Sequence, residues 1–266
     1  MSDGRAWPVA VAAEFDGPGD APVLILGNSL GTSTAVWDRQ IPDLRRSFRL
    51  LRFELPGHGG AAAWPGPYTI AELGAGVLAL LDSLGIQRAG YGGISLGGMI
   101  GMWVAAHAPA RIAALGLCCT SACMPPASGW LARAARVRAD GMAAITEQTL
   151  GRWFTPPFRR SGPAGLAAAM LDSTDPEGYA GCCEAIAAMD LRPVLGSITA
   201  PTLVLAASED PATPPAHGAL IARKVAGARL AVIRGAAHLA NLQAPGPVTA
   251  ALLAHLEQAG RRAAPG

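Results

Sequence analysis

A serine, an aspartate and a histidine stand in the chain at positions 95, 210 and 238, each in surroundings that suit nucleophilic catalysis. Ser95 lies in Gly93-Ile-Ser-Leu-Gly97, a match to G-x-S-x-G. That pattern makes a sharp strand-to-helix turn in which the serine is strained and its Oγ projects into a cleft. The glycines are required because strand and helix approach too closely for a Cβ. The following helix also aims unpaired N–H groups and its positive end at the site. A serine hydroxyl is a weak nucleophile until a base takes its proton, and the base needs an acid to orient it. The expected base is His238, in Gly235-Ala-Ala-His-Leu-Ala240, and the expected acid is Asp210, in Ala207-Ser-Glu-Asp-Pro-Ala-Thr-Pro214. The order serine, acid, histidine is the one that goes with this turn.

Each role has rivals. His58, in the Pro56-Gly-His-Gly-Gly60 run, reads otherwise as a loop histidine, and His107, His217 and His255 as surface or helix-face residues. Glu209 competes with Asp210, which stands directly before the Pro-Ala-Thr-Pro turn. Negative charge developing on an attacked carbonyl needs two converging N–H donors. One is expected from the backbone of Leu96, directly after the nucleophile. The other is expected from Leu30, in the loop Gly27-Asn-Ser-Leu-Gly-Thr-Ser33. A phosphate-binding reading of the glycines fails on detail. No Gly-Lys-Ser/Thr follows, and Gly90-x-Gly92 lacks the third glycine of a dinucleotide fingerprint.

Short apolar runs end in the loops that carry these residues. Val23–Leu26 precedes GNSLG, Phe48–Phe53 precedes ELPGHGG, and Arg88–Gly92 runs into the serine motif. Leu115–Cys119, Thr202–Ala206 and Arg229–Ile233 are three more strand candidates, the last two leading to Asp210 and His238. A helical run, Leu96–His107, stops at Pro109. Continuous apolar strands alternating with helices predict a mostly parallel sheet covered on both faces. From Pro125 to Arg192 the rhythm breaks into helical patterns such as Trp130–Met142 and Ala143–Trp153, with prolines at 156, 157 and 176. The chain thus divides into a core part over 1–124, a helical cap over 125–192 and the rest of the core over 193–266. The tail after Leu256 shows no core pattern and is expected to fray.

Composition limits the rest. The 266 residues are 51% hydrophobic and 15% charged, which suits a folded globule. The net charge is +2 and the twenty arginines are scattered, so no nucleic-acid footprint is expected. The N-terminus lacks the pattern of a secretory leader, and no apolar run is long enough to span a bilayer. The cysteines at 118, 119, 123, 182 and 183 form no C-x-x-C pair, so neither a zinc site nor a disulfide framework is indicated. A cytoplasmic protein with reduced thiols is the expectation, as monomer or homo-oligomer.

Several of these stretches together resemble the α/β-hydrolase superfamily, from about Val9 to Leu256, and within it the 3-oxoadipate enol-lactonases. The likeness rests on Asn28-Ser-Leu-Gly-Thr32 followed by Trp37-Asp38, on Gly93-Ile-Ser-Leu-Gly-Gly-Met99, and on Trp130, Arg133, Gly141 and Arg152-Trp-Phe-Thr-Pro156 in the helical segment. The chain departs from that family at Phe53-Glu-Leu-Pro-Gly-His-Gly59, where relatives often carry an aspartate and an arginine. The resemblance implies an α/β-hydrolase fold with a helical lid. It also implies hydrolysis of a small carboxylated enol-lactone in the β-ketoadipate pathway, through an acyl-enzyme on Ser95, with no metal or cofactor.

A carboxylated substrate in an apolar cleft calls for a fixed cation, and arginine offers a bidentate fork. Arg133 shares a helical face with Trp130 and Val137, which makes it the candidate, with Trp130 and Ser29 as further substrate contacts. The alternative is that Arg133, Arg136 and Arg138 solvate the outside of the segment and Trp130 is ordinary core. Two other functions share these residues: a broad carboxylesterase or perhydrolase-like enzyme, and a non-catalytic ligand-binding module. Retention of serine, aspartate and histidine speaks against the module.

Overall fold

The apolar runs become the strands of one sheet in the computed structural model, which describes residues 13–263. The first half comprises β1 (Ala13–Asp16), β2 (Val23–Gly27), α1 (Ile41–Leu44), β3 (Arg49–Phe53), α2 (Ile70–Ser83), β4 (Ala89–Ile94), α3 (Leu96–His107) and β5 (Ile112–Cys118). Four helices follow without a strand: α4 (Ala127–Asp140), α5 (Thr146–Trp153), α6 (Gly162–Asp172) and α7 (Pro176–Ala188). The chain then returns through β6 (Thr202–Ala207), α8 (Pro215–Lys224), β7 (Arg229–Ile233), α9 (Ala240–Gln243) and α10 (Pro245–Ala263). The strand order is β1-β3-β2-β4-β5-β6-β7, with β2 to β7 parallel and β1 antiparallel to β3.

All six expected strands are present, with ends displaced by at most three residues. β1 was not expected: it is a four-residue edge strand with half its residues exposed, too short for a period to show. Its Glu14 and Asp16 take the guanidinium of Arg52 at 3.0 and 2.7 Å, so charge as well as the ladder docks it. In the helical segment, the helix expected to end at Met142 ends at Asp140. Gly141, at φ +75°, makes the break no Cβ residue readily makes, and a 3-10 turn, Met142–Ala144, precedes α5. The segment's two ends meet in an antiparallel bridge between Cys123 and Asp190, so the helices rise from one stem between β5 and β6.

The tail requires a correction. α10 continues to Ala263, and Leu252, Leu256 and Ala259 are buried at helical spacing. The small Ala259 concealed that stripe in the sequence. Residues 1–12, which were read for a leader, and 264–266 lie outside the described residues. Among the described residues, no helix is long and apolar enough to cross a membrane.

The sheet centre depends on close backbone approach. Tyr91, fully buried on β4, donates its hydroxyl to the carbonyl of Gly97 at 2.9 Å. α3 can lie over this ring because its near face is small: a Cβ on Gly101 would stand 2.5 Å from the Tyr91 ring. A Cβ on Gly97 would stand 2.3 Å from the carbonyl of Gly27, backbone against backbone, with nothing able to rotate away. Gly97→Ala is therefore expected to lower the unfolding free energy by about 3 kcal/mol, the upper end for overpacking. Gly165→Ala, in α6 with nothing within 4 Å of its Cβ, is expected to raise it by about 0.5–1 kcal/mol through helix propensity. Urea titrations of both variants check this; equal shifts would remove the packing argument.

Candidate active site

Ser95 is one of two non-glycine residues with positive φ among the described residues, at φ 53° and ψ −117°. Such a conformation costs about 1–3 kcal/mol and persists only where its surroundings over-determine it. Here they do. The Ser95 N–H donates to the Cys118 carbonyl at 2.9 Å, and Thr120 Oγ1 donates to the Ser95 carbonyl at 2.6 Å. The Gly97 N–H donates to the Asn28 carbonyl at 2.8 Å. A Cβ on Gly93 would meet the Gly97 carbonyl at 2.5 Å, so the turn admits no other residue there.

The loops after β6 and β7 bring the expected partners to this turn. His238 Nε2 lies 2.9 Å from Ser95 Oγ, and His238 Nδ1 lies 2.8 Å from Asp210 Oδ2. Asp210 Oδ1 accepts the N–H groups of Ala212 and Thr213 at 2.8 and 2.9 Å, while Oδ2 also accepts Thr213 Oγ1 at 2.7 Å. A buried carboxylate is stable only when so saturated. Burial pushes the Asp210 carboxyl upward, but His238 and the Thr213 hydrogen bonds outweigh it and hold the group down at about 2. With Nδ1–H directed at Asp210, Nε2 is left to accept the serine proton. Thr213 was not singled out in the sequence; an aspartate followed three residues later by threonine is the turn signal that could have found it.

The rivals are elsewhere. Glu209 is exposed. His107 is stacked on Trp103 at 4.4 Å at the end of α3, and His255 Nε2 faces the Pro201 carbonyl at 3.2 Å before β6 begins. His217 lies half-buried in the first turn of α8. His58 is fully buried behind the Asn28–Thr32 loop.

Ser95 and His238 line one cavity between the sheet and the helical segment. Ser29, Leu30 and Met99 line it from the core, and Trp130, Arg133, Thr149, Arg152, Trp153 and Tyr179 from the helical segment. Arg133 thus faces inward while Arg138, five residues on and on another face of the helix, pairs with Glu177 and Glu184 of α7. Arg133 Nε donates to Tyr179 Oη at 2.8 Å and Nη2 to Thr149 Oγ1. Among the described residues no carboxylate pairs with Arg133, and none lines this cavity. The N–H groups of Leu30 and Leu96 have no acceptor among the described residues. Sequence reasoning missed Tyr179 and Thr149, which orient Arg133; their contacts join helices 46 and 16 residues away.

Because the Asp210 carboxyl lies below the 3.8 of an ordinary aspartate, its contribution to stability is complete above pH 4 and is lost as pH falls toward 2. That contribution is about 2 kcal/mol, at ~1.4 kcal/mol per tenfold in acidity. Between pH 4.5 and 2, the unfolding free energy of the wild type is expected to fall by about that much more than that of Asp210→Asn. Parallel urea titrations across this range measure it; identical slopes would show that the carboxylate is not held in this way.

A model of the alpha/beta hydrolase fold matches residues 22–150. The 3-oxoadipate enol-lactonase 2 of Acinetobacter baylyi is 38% identical over 242 residues, covering 90% of both chains. A crystal structure of an enol-lactonase from Burkholderia xenovorans superimposes with a TM-score of 0.89 at 39% identity, over 92% of this chain and 95% of that one. A hydrolase from Pseudomonas aeruginosa gives a TM-score of 0.89 at 44% identity, over 92% and 93%. With its serine turn at the end of β4 and its sheet order, the chain belongs to the α/β-hydrolase family and is similar within it to the 3-oxoadipate enol-lactonases.

Proposed function

We propose that the protein hydrolyses 3-oxoadipate enol-lactone, a five-membered enol-lactone bearing a free carboxylate, to 3-oxoadipate. The observation that carries this reading is Arg133, a guanidinium with no carboxylate partner among the described residues, lining the same cavity as Ser95. An arginine in an apolar cleft is best accounted for by an anionic ligand. Trp130 and Ser29 complete the wall around that ligand.

In this scheme Ser95 Oγ attacks the lactone carbonyl as its proton passes to His238 Nε2, and Asp210 stabilises the resulting imidazolium. The oxyanion rests on the N–H groups of Leu30 and Leu96. Collapse breaks the ring C–O bond and expels an enolate oxygen, which takes the proton back from His238 and tautomerises to a ketone. The leaving group remains tethered through the acyl chain because the substrate is cyclic. Water, deprotonated by His238, then attacks the ester on Ser95, and 3-oxoadipate leaves with two carboxylates. No cofactor or metal takes part in these steps, and the helices from Ala127 to Ala188 serve as the lid. The five free cysteines suit a reducing cytoplasm.

Purified protein is expected to consume the ultraviolet absorbance of the enol-lactone far faster than it cleaves neutral aryl esters, and Ser95→Ala to abolish both. Arg133→Gln is expected to raise KM for the lactone about 10- to 100-fold, the worth of a charge-assisted hydrogen bond. The KM for a neutral aryl ester should stay within about twofold, because uniform binding is lost only for the anion. Equal catalytic efficiency on both substrate types, with no effect of Arg133→Gln, would instead identify a broad carboxylesterase.

Outside this cavity, a second one shares Trp130, Arg133 and Arg152, adds Arg136 and is likewise lined by no carboxylate. An anionic substrate therefore meets positive charge on entry. kcat/KM for the lactone is expected to fall as salt rises from about 0.01 to 0.15 M, where the screening length shortens from about 30 to 8 Å. Stopped-flow progress curves at several salt concentrations test this, with a neutral ester as the flat control.

A further inference from the structure

His58 is a fully buried histidine that the reaction leaves without a task, and its contacts run to the loop that carries Leu30. The Gly31 N–H lies 2.9 Å from His58 Nε2, and the Pro56 carbonyl lies 2.7 Å from Nδ1. An amide N–H can only donate, so Nε2 is the acceptor and Nδ1 carries the proton toward Pro56. The ring is therefore neutral. Burial agrees, pushing its pKa down to about 4 against the Pro56 hydrogen bond and the nearby Asp175 charge.

The loop has a specific form. The Thr32 N–H and Thr32 Oγ1 both donate to the Ser29 carbonyl, at 3.1 and 2.9 Å, which closes a turn over residues 29–32. Gly31 has φ +76°, and Leu30 is not among the residues of positive φ. Those signs define a type II turn, which demands glycine at its third position. Types I and II differ by a flip of the central peptide, here the one joining Leu30 to Gly31. The N–H of that peptide is the group His58 accepts. The peptide before it, Ser29–Leu30, carries the Leu30 N–H and is fixed through its carbonyl by Thr32. Both peptide planes around the Leu30 Cα are thus pinned, one by Thr32 and one by His58. Glu54 steadies the loop's flanks, accepting the Thr34 N–H at 2.8 Å and Asn28 Nδ2 at 3.3 Å.

We propose that His58 is a positioning residue for catalysis: by accepting the Gly31 N–H it locks the Ser29–Thr32 turn in its type II form and keeps the Leu30 N–H aimed at the oxyanion. This inference rests on the proposed roles of Ser95 and Leu30 but not on the identity of the lactone. The imidazole acts through the backbone and touches no substrate. A lysine or a protonated histidine cannot do this, because the position needs an acceptor.

Two substitutions separate the acceptor from the ring. Glutamine can place Oε1 where Nε2 stands and so accept the Gly31 N–H. Asparagine can place Nδ2 where Nδ1 stands and donate to Pro56, but it reaches Gly31 with nothing. Both lose the ring's packing, so the ratio of their rates reads the acceptor alone. For His58→Asn, kcat is expected to fall about 10- to 100-fold with KM within about twofold, approaching the effect of deleting one oxyanion donor. His58→Gln is expected to restore most of that turnover.

The same pattern should appear with the enol-lactone and with p-nitrophenyl acetate, so failure of the lactone reading leaves this test intact. Affinity for an aryl boronic acid, whose tetrahedral adduct on Ser95 places an oxygen in the same donors, should fall in His58→Asn in step with kcat. Equal kcat in the asparagine and glutamine variants, or a loss confined to KM, would overturn the proposal. So would unchanged boronate affinity in His58→Asn. If Ser95→Ala still hydrolysed both substrates, the underlying assignment of the nucleophile would fall instead, a distinguishable result.

Discussion

The structure depends on one contact, the approach of the Gly27 carbonyl to the Cα of Gly97. A methyl group on Gly97 would lie 2.3 Å from that carbonyl, so β2 and α3 touch through backbone alone. The contact does three things at once. It turns the chain sharply enough after β4 to hold Ser95 at positive φ. It brings the end of β2 beside the first turn of α3, where the Gly97 N–H reaches the Asn28 carbonyl at 2.8 Å. And it leaves the Leu96 N–H at the mouth of the turn without an intrahelical partner, as helix starts always do. The conformation of Ser95 and the exposure of the Leu96 N–H are therefore consequences of packing.

Electrostatics follows the same economy. Asp210 is buried, and four hydrogen bonds converge on its two oxygens, so it is charged without being exposed. Arg133 is the opposite case: its donors are met by the neutral oxygens of Tyr179, Thr149 and Gln148, which orient the guanidinium but leave its charge unpaired. Within the helical segment, Arg138 shows what a purely structural arginine looks like, clamped between Glu177 and Glu184 near the surface. Such surface pairs contribute little to stability. The difference between the two arginines lies in their partners, and five residues along α4 suffice to make it.

Much of this was legible in the chain. The parallel strands showed as continuous apolar runs because both faces of the sheet are covered, and Ser95, Asp210 and His238 stood out because each follows such a run. The inward face of α4 showed through Trp130, Arg133 and Val137. What stayed hidden was non-local or small. β1 has four residues and no period, the end of α10 is held by an alanine, and Tyr179 meets Arg133 across 46 positions. His58 read as a loop histidine because its partner is a backbone N–H 27 residues earlier, which no side-chain pattern records. Thr213 was passed over as part of a proline turn, although its hydroxyl completes the Asp210 shell.

Tyr179 joins the two halves of the site. Its hydroxyl accepts Arg133 Nε, its ring stacks over His58 at 6.5 Å, and a Cβ on Gly31 would stand 3.1 Å from its edge. The residue that orients Arg133 therefore also forms one wall of the Ser29–Thr32 turn. On the proposed roles, a helical segment repacked around Tyr179 for another substrate would disturb the Leu30–Gly31 peptide, and a turn reset for another oxyanion would move the support beneath Arg133. On the proposed roles of Arg133 and Leu30, recognition and turnover would share this one side chain, and substrate preference could not be rewritten in the helical segment alone.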